Sequence, residues 1–208
     1  MNQLNRLFAL VAVAGFLLGP HASQAAMILD TGTPTGTGLP LALDGNDFYA
    51  AEFNLSTDSV ITGMQAFLAA GMDEPGATFT FALYSGNDLF DRNAAPVFTT
   101  QGTYTADGWS AINNLSFSAL AGNYWVALEV GAADSAAGLA LPQPVSGGTA
   151  GALAFAFNSG AGYTTAGALP FAVQVTADPA PVPLPAAAWL LGSGLLALGS
   201  RARRRMAA

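Results

Sequence analysis

The chain has 208 residues, of which 52% are apolar and only 9% are charged, and it contains no cysteine. The lack of cysteine excludes disulfide bonds, thiolate metal sites and cysteine nucleophiles. All 13 acidic residues lie between Asp30 and Asp178, where Arg92 is the only base, so this span has a formal charge of −12. A span this acidic disfavours nucleic acid as a partner, because binding to phosphates depends on Lys and Arg.

The first 25 residues have the pattern of a secretory signal peptide. Arg6 supplies a positive start, and residues 7–19 form an apolar run of 13 residues, which is too short for an ordinary membrane-spanning helix. Ser23 and Ala25 place small residues at the −3 and −1 positions. This pattern predicts cleavage by signal peptidase after Ala25, with Ala26 as the next candidate. The alternative is a buried or uncleaved N-terminal helix.

The body, residues 27–178, alternates apolar and polar residues with the period of two that is typical of β-strands. The pattern predicts strands at 48–56, 77–86, 123–130, 151–160 and 169–175, with further strands at 59–69, 96–105 and 115–119. In each of the first five predicted strands, the apolar residues at every second position share one face. In chain order they are Tyr49, Ala51, Phe53 and Leu55; Phe79, Phe81 and Leu83; Tyr124, Val126, Leu128 and Val130; Leu153, Phe155 and Phe157; and Phe171, Val173 and Val175. Many short strands, separated by segments that favour turns, predict an all-β sandwich or barrel.

The residues that follow the body lack its period-two pattern. Prolines alternate with other residues over 179–185, which favours an extended, proline-rich stalk. Residues 186–200 form an uncharged helical run, which spans a bilayer only if flanking residues are included and the bilayer thins. The arginines that follow would hold this end in the cytoplasm, and they are Arg201, Arg203, Arg204 and Arg205. The order of these parts predicts a transmembrane sorting signal, and a plain single-span tail anchor is the alternative.

Residues 182–205 resemble the C-terminal sorting domain of the PEP-CTERM family in its VPLPA variant. The motif residues are Val182, Pro183, Leu184, Pro185 and Ala186, and the following Trp-Leu-Leu-Gly-Ser-Gly-Leu-Leu run and arginine-rich end match the later parts of that domain. The resemblance implies recognition by an exosortase, a membrane-embedded enzyme of Gram-negative bacteria. It further implies removal of the helix and release of the body, often in organisms that make exopolysaccharide. Leu184 stands where the name-giving pattern has Glu, which bears on the identity of the sorting enzyme.

The body itself resembles the jelly-roll-type domains that often precede such tails. The resemblance is carried by SVITGMQAF, FTFALYSG, DGWSAINNLSFSALAGNYWVALEV and PFAVQV, and residues 120–125 are its most characteristic piece. It implies a jelly-roll-like β-sandwich and no particular chemistry.

The body contains no His, Cys or Lys, which excludes Ser-His-Asp and Cys-His catalysis, imidazole-bound zinc and catalytic lysines. A pair of carboxylates, as in glycoside hydrolysis, is the enzymatic option that remains. The candidates are Asp47, Glu52, Asp73, Glu74 and Glu129, and nothing in their spacing selects a pair. Because Glu129 alternates with Leu128 and Val130, we expect its side chain to face solvent. We therefore expect neither enzymatic activity nor a cofactor.

Calcium is the only metal that this composition allows, through oxygen ligands. Asp44 and Asp47 in one loop, and Asp88 and Asp91 in another, are candidate ligands. Their spacing does not fit an EF-hand and equally fits ordinary turns.

A sugar site would need exposed aromatic side chains with polar neighbours. Trp109 follows a predicted turn at Asp107 and Gly108, and Trp125 alternates with Val126 on its strand, so both are candidate contacts. Packing in the core or between strands is the alternative for each.

The sequence thus predicts a non-catalytic protein that is exported through the inner membrane of a Gram-negative bacterium and sorted to the cell surface or extracellular matrix. The expected role of the body is structural or adhesive, in an exopolysaccharide or biofilm layer. Expected partners are signal peptidase, an exosortase, the membrane during sorting, and exopolysaccharide. A carbohydrate-binding, lectin-like module is the second hypothesis, and a glycan-cleaving enzyme is the third.

Overall fold

The computed structural model describes residues 25–36, 40–143, 145–167 and 169–179. The predicted signal peptide up to residue 24, the stalk from residue 180, and the sorting helix with its arginines lie outside the described residues. The described residues form 13 strands and one 3₁₀ turn at Asp88–Phe90. The strands are β1 (Ala26–Pro34), β2 (Leu41–Leu43), β3 (Asp47–Leu55), β4 (Ser59–Leu68), β5 (Thr78–Ser85), β6 (Phe98–Thr103), β7 (Gly108–Ala119), β8 (Gly122–Glu129), β9 (Leu139–Leu141), β10 (Val145–Ala150), β11 (Phe155–Ser159), β12 (Tyr163–Ala166) and β13 (Val173–Pro179).

The strands pair antiparallel into two main sheets. The five-stranded sheet has the order β10-β1-β13-β4-β7, and the six-stranded sheet has the order β12-β11-β3-β8-β5-β6. Strands β2 and β9 form a small third sheet. One hydrophobic core contains buried side chains from strands of both main sheets, so the body is a β-sandwich, as predicted.

The period-two pattern identifies the core-facing side chains of most strands. Phe79, Phe81 and Leu83 on β5 are fully buried, and so are Val126 and Leu128 on the neighbouring β8. Burial of a side chain of this size stabilises the fold by about 1.5–3 kcal/mol relative to exposure. The predicted face of β5 is therefore confirmed.

Leu153 is an exception, because it is 61% exposed and precedes the first residue of β11. Glu52 donates its N–H to the carbonyl of Ala154 and accepts the N–H of Leu153. Two residues thus oppose one, as in a β-bulge, and a shift of one residue turns a side chain to the opposite face. The prediction that Leu153 shares the buried face of Phe155 and Phe157 is wrong for this reason.

The two ends of the described body lie next to each other. Strand β1 begins at Ala26, which pairs with Ala177 on β13, and β13 ends at Pro179, which pairs with Ser59. Strand β13 extends beyond the predicted end at residue 175 because both neighbouring strands continue to pair with it. In the part of the chain that the structure describes, no helix has the length and apolar character needed to cross a bilayer.

Candidate functional site

The outer face of the five-stranded sheet carries a pair of aromatic rings. On β4, Met64, Ala66 and Leu68 are buried in the core, so the alternating Phe67 faces outward. Trp109, at the start of β7, pairs with Phe67, and the two rings meet edge to face with centroids 5.7 Å apart and planes at 81°. Both side chains are partly exposed. We call the surface formed by Asp30, Gln65, Phe67, Trp109 and Gln174 the Trp109 face.

The turn before β7 fixes where Trp109 enters the sheet. Asp107 Oδ1 accepts hydrogen bonds from the hydroxyl of Tyr104, at 2.6 Å, and from the N–H of Ala70, at 2.9 Å. The hydroxyl of Tyr104 lowers the pKa of Asp107, and the same bond is the main cause that raises the pKa of Tyr104 to about 12. Gly108 has a φ of 135°, a conformation that favours glycine. The position of Trp109 is thus set by a hydrogen-bonded turn.

Polar side chains continue the Trp109 face across the sheet. Asp30, Gln174 and Gln65 pair in register on three adjacent strands. Gln65 Nε2 donates to Gln174 Oε1, and Gln174 Nε2 donates to Asp30 Oδ1 at 2.9 Å. Asp30 also accepts hydrogen bonds from the N–H of Gly32 and from the N–H and hydroxyl of Thr149. The result is a connected row of amides ending at a carboxylate.

The carboxylate of Asp30 stays ionised although its residue is only 8% exposed. Burial alone would raise the pKa of Asp30, but hydrogen bonds from Gln174, Thr149 and Gly32 outweigh burial and hold the pKa below its usual value. A carboxylate that accepts several hydrogen bonds is stabilised in its charged form. Asp30 therefore anchors the row and presents little of its charge to solvent.

Trp125 lies on the outer face of the other sheet, but it is covered. Its residue is 3% exposed, and its ring meets Phe90 edge to face with centroids 5.4 Å apart. It belongs to a second apolar cluster around a row of small residues that pair across four strands, Ala82, Ala127, Ala50 and Ala156. The 3₁₀ turn contributes Leu89 and Phe90 to this cluster, and β12 contributes Tyr163. Trp125 therefore offers no surface to a ligand.

Glu129 lies at the edge of this second cluster and is partly buried. Its Oε1 accepts hydrogen bonds from the hydroxyls of Tyr84, at 3.0 Å, and Tyr163, at 2.8 Å. Burial, and next the charge of Glu129, raise the pKa of both tyrosines. The expectation that Glu129 simply faces solvent missed this arrangement, because the tyrosines lie 45 and 34 residues away in sequence.

The structure does not bring Glu52 and Glu129 together as a catalytic pair. Ala50 pairs with Ala127 on the antiparallel strands β3 and β8. Glu52 therefore lies two residues from this pair toward one end of the sheet, and Glu129 lies two residues from it toward the other end. At about 3.4 Å per residue, their Cα atoms are roughly 14 Å apart. The carboxyl groups of glycosidases are about 5–9.5 Å apart, so this Cα separation would require both glutamate side chains to extend toward each other. Glu52 also accepts a hydrogen bond from Asn123 Nδ2 at 3.0 Å, on the side away from Glu129.

The remaining carboxylate candidates lie near loops. Asp73 and Glu74 follow β4, and Asp47 begins β3. The two carboxylate oxygens of Asp73 accept the N–H groups of Ala137 and Gly138, each at 2.8 Å. Asp73 therefore ties the loop before β9 to the loop after β4.

The proposed calcium ligands lie in turns. Asp44 Oδ1 accepts the N–H groups of Asn46 and Asp47, at 2.7 and 3.0 Å, and so closes the turn between β2 and β3. Asp91 donates its N–H to the carbonyl of Asp88 at 3.1 Å, and its Oδ1 accepts the N–H of Asn93. The bonds to Asp44 Oδ1 and Asp91 Oδ1 are those of ordinary Asx turns, and the backbone bond from Asp91 to Asp88 closes the 3₁₀ turn. Over the described ranges, no three acidic side chains are grouped so that they could hold a metal ion.

Comparison of the chain with models of protein families and with curated proteins finds no match in either. Among the candidate ligand contacts, only Trp109 combines partial exposure with polar neighbours on the same face.

Proposed function

We propose that this chain is an exported, non-catalytic protein of the cell surface or extracellular matrix, with a structural or adhesive role in an exopolysaccharide layer. An N-terminal signal peptide and a VPLPA-type tail read by an exosortase would deliver it. One observation carries the proposal. Among the described residues, the first strand begins at Ala26, which follows the predicted cleavage site, and the last strand ends at Pro179, the first proline of the predicted stalk. The described strands thus lie between the two predicted processing signals.

The strand order supports a jelly-roll-like body. In the five-stranded sheet, β1, β13, β4 and β7 are consecutive neighbours, and in the six-stranded sheet β3, β8, β5 and β6 are. The chain therefore changes sheet between β3 and β4, between β4 and β5, and again on either side of β7. Such an interleaved order of eight antiparallel strands is typical of two Greek keys wound into a jelly roll.

Variants of the tail test the sorting proposal. Replacing Pro183 and Pro185 with Ala should leave the helix inserted but uncut, so full-length protein should accumulate in the inner membrane. Pro181→Ala is the matched control, because it changes a stalk proline outside the motif, and it should be sorted normally. Cell fractionation with detection of the body is the measurement. Normal surface delivery of the double variant would overturn the proposal.

A second set of variants tests the role of the arginines. Drawing each guanidinium group through hydrocarbon costs at least about 2.5 kcal/mol on insertion scales. Changing Arg201, Arg203, Arg204 and Arg205 to Ser should therefore let the tail slip through and release unsorted body into the medium. Ala202→Ser, within the same cluster, should change nothing. Retention of the four-fold variant at the membrane would contradict the stop function.

Carbohydrate binding by the body is a second candidate function. It is favoured by the partly exposed pair of Trp109 and Phe67, which adjoins a row of amide side chains on one sheet face. Rings that flank hydrogen-bonding groups are a usual composition of small-molecule and sugar sites.

A further inference from the structure

We propose that the Trp109 face binds a neutral polysaccharide chain, laid across the five-stranded sheet from β7 toward β1. The inference rests on the carbohydrate-binding candidate above and adds the site and the chemical class of its ligand.

The aromatic end of the face suits the apolar side of a sugar ring. Trp109 lies on β7, an outermost strand of its sheet, so a ligand can reach it from the edge as well as from above. Its contact with Phe67 is edge to face, and this contact fixes the orientation of the indole. An aromatic ring held in this way supplies a large contact area at little cost in conformational entropy.

The polar part of the face suits hydroxyl groups. Each glutamine amide has two N–H donors and one oxygen acceptor. Within the row, Gln65 and Gln174 each donate one hydrogen bond from Nε2, which leaves the second N–H of each for a ligand. Sugar hydroxyls both donate and accept, so they match groups of this kind. The internal bonds hold the amides in place before a ligand arrives, which lowers the entropy lost on binding.

The charge of the body selects a neutral ligand. Arg92 is the only base among the described residues. Its side chain lies against Gly162, next to β12 of the six-stranded sheet, where a Cβ added to the glycine would be 2.8 Å from Nε of Arg92. The Trp109 face therefore has no cation to meet a uronate or sulfate group. A body with a formal charge of −12 also repels anionic polymers at a distance. Asp30, the only acid of the face, is engaged by its hydrogen bonds and offers little attraction to a cationic polymer.

The dimensions of the face favour a chain over a single sugar. From β1 through β13 and β4 to β7 there are three strand spacings of about 4.8 Å, or roughly 14 Å in total. This length exceeds that of one pyranose ring. Trp109 and the amides of Gln65 and Gln174 would therefore contact successive sugar units.

Titration of the full-length protein with cellohexaose, a neutral β-linked chain, tests the inference. Calorimetry or tryptophan fluorescence gives the affinity, with alginate as the anionic comparison. The wild type should bind cellohexaose and not alginate. Trp109→Ala should weaken binding by at least about tenfold, Trp109→Phe should retain most of it, and Leu120→Ala should leave it unchanged, because Leu120 is 71% exposed and lies beyond the far end of β7.

The contrary outcomes separate the location of the site from the class of its ligand. Binding that Trp109→Ala does not weaken would overturn the site and leave carbohydrate binding by the body intact. Equal or tighter binding of alginate would overturn the ligand class. Failure of both glycans to bind would overturn the inference and the carbohydrate-binding candidate together. The same conclusion would follow if no glycan bound and the protein instead formed a dimer that Trp109→Ala dissociates. None of these results bears on export or sorting, which the tail variants test.

Discussion

Gly102 illustrates how one missing side chain shapes the core. It lies on β6 directly opposite Phe79 on β5, and the fully buried ring of Phe79 lies over it. A Cβ at position 102 would lie 2.5 Å from Cζ of that ring. The large side chain on one strand thus occupies the space that glycine leaves on the next.

Gly102→Ala should lower the free energy of unfolding by about 1–3 kcal/mol, because Phe79 must move within a filled core. Gly45→Ala is the matched control, since a Cβ there would have no neighbouring atom within 4 Å. Urea unfolding followed by circular dichroism measures both. Equal midpoints for the two variants would contradict the packing of Phe79 against Gly102.

At the scale of elements, the outer face of the six-stranded sheet is built differently from the Trp109 face. The alanines of that face have small side chains, and the 3₁₀ turn and the Tyr163 side chain, from the outermost strand β12 of the same sheet, pack over them. Tyr163 extends from β12 to Glu129 on β8, and Tyr84 reaches the same oxygen from β5. These bonds tie the outermost strand β12 and the central strands β8 and β5 together across the outer cluster. The outer face of the six-stranded sheet is therefore covered, whereas Trp109 and Phe67 on the five-stranded sheet are partly exposed.

This arrangement predicts a loss of stability at alkaline pH. Tyr84 and Tyr163 have pKa values raised by burial and by Glu129, and burial raises the pKa of Tyr49 to about 12. An unfolded tyrosine ionises near pH 10. Because the folded state keeps these protons, its stability is fully present below about pH 10 and falls as the pH rises above that value.

Tyr163→Phe separates this effect from general alkaline damage. The variant should lose about 1 kcal/mol at pH 7, because Glu129 loses one hydrogen bond, yet its stability should fall less steeply above pH 10. Tyr124→Phe is the control, since among the described residues no hydrogen bond is made by the Tyr124 hydroxyl. Urea midpoints between pH 7 and pH 11.5 give the slopes. The same slope for Tyr163→Phe and the wild type would contradict the coupling to Glu129.

The strands that the sequence predicts best are those in which apolar side chains recur at every second position. Period two locates β3, β4, β5 and β8 to within about one residue at either end. Strands β10 and β12 escape prediction because they are short outermost strands of polar and small residues. Strand β10 also depends on a neighbour distant in sequence, with Gly147 opposite Gly32, whereas β12 pairs with the strand that precedes it, β11.

The candidate site is predicted less completely than the fold. The turn at Asp107 and Gly108 points to Trp109, and alternation in residues 59–69 places Gln65 and Phe67 on a common face. Sequence alone does not reveal that β13 and β1 lie beside β4, so the row from Gln65 to Asp30 escapes prediction. The burial of Trp125 escapes prediction for the same reason. A side chain that points away from the core is exposed only when no other element packs on it, and the sequence does not show which elements pack there.

At the scale of the whole molecule, the position of the two chain ends bears on processing. Ala26 and Ala177 pair on neighbouring antiparallel strands, so the start of β1 and the end of β13 lie at the same end of the described body. Strand β13 pairs with its neighbour up to Pro179, which is three residues before Val182. The strand residues next to the two predicted processing signals are therefore neighbours in the folded body.

The most direct test of the account is the intact mass of the surface-exposed protein, with sequencing of both ends. The account predicts an N-terminus at Ala26 or Met27 and a C-terminus that lacks Trp189 and Arg205. A surface form that still begins at Met1 would contradict export through a cleaved signal peptide. A surface form that still carries Trp189 and Arg205 would show that the tail is a permanent anchor and that the sorting proposal is wrong.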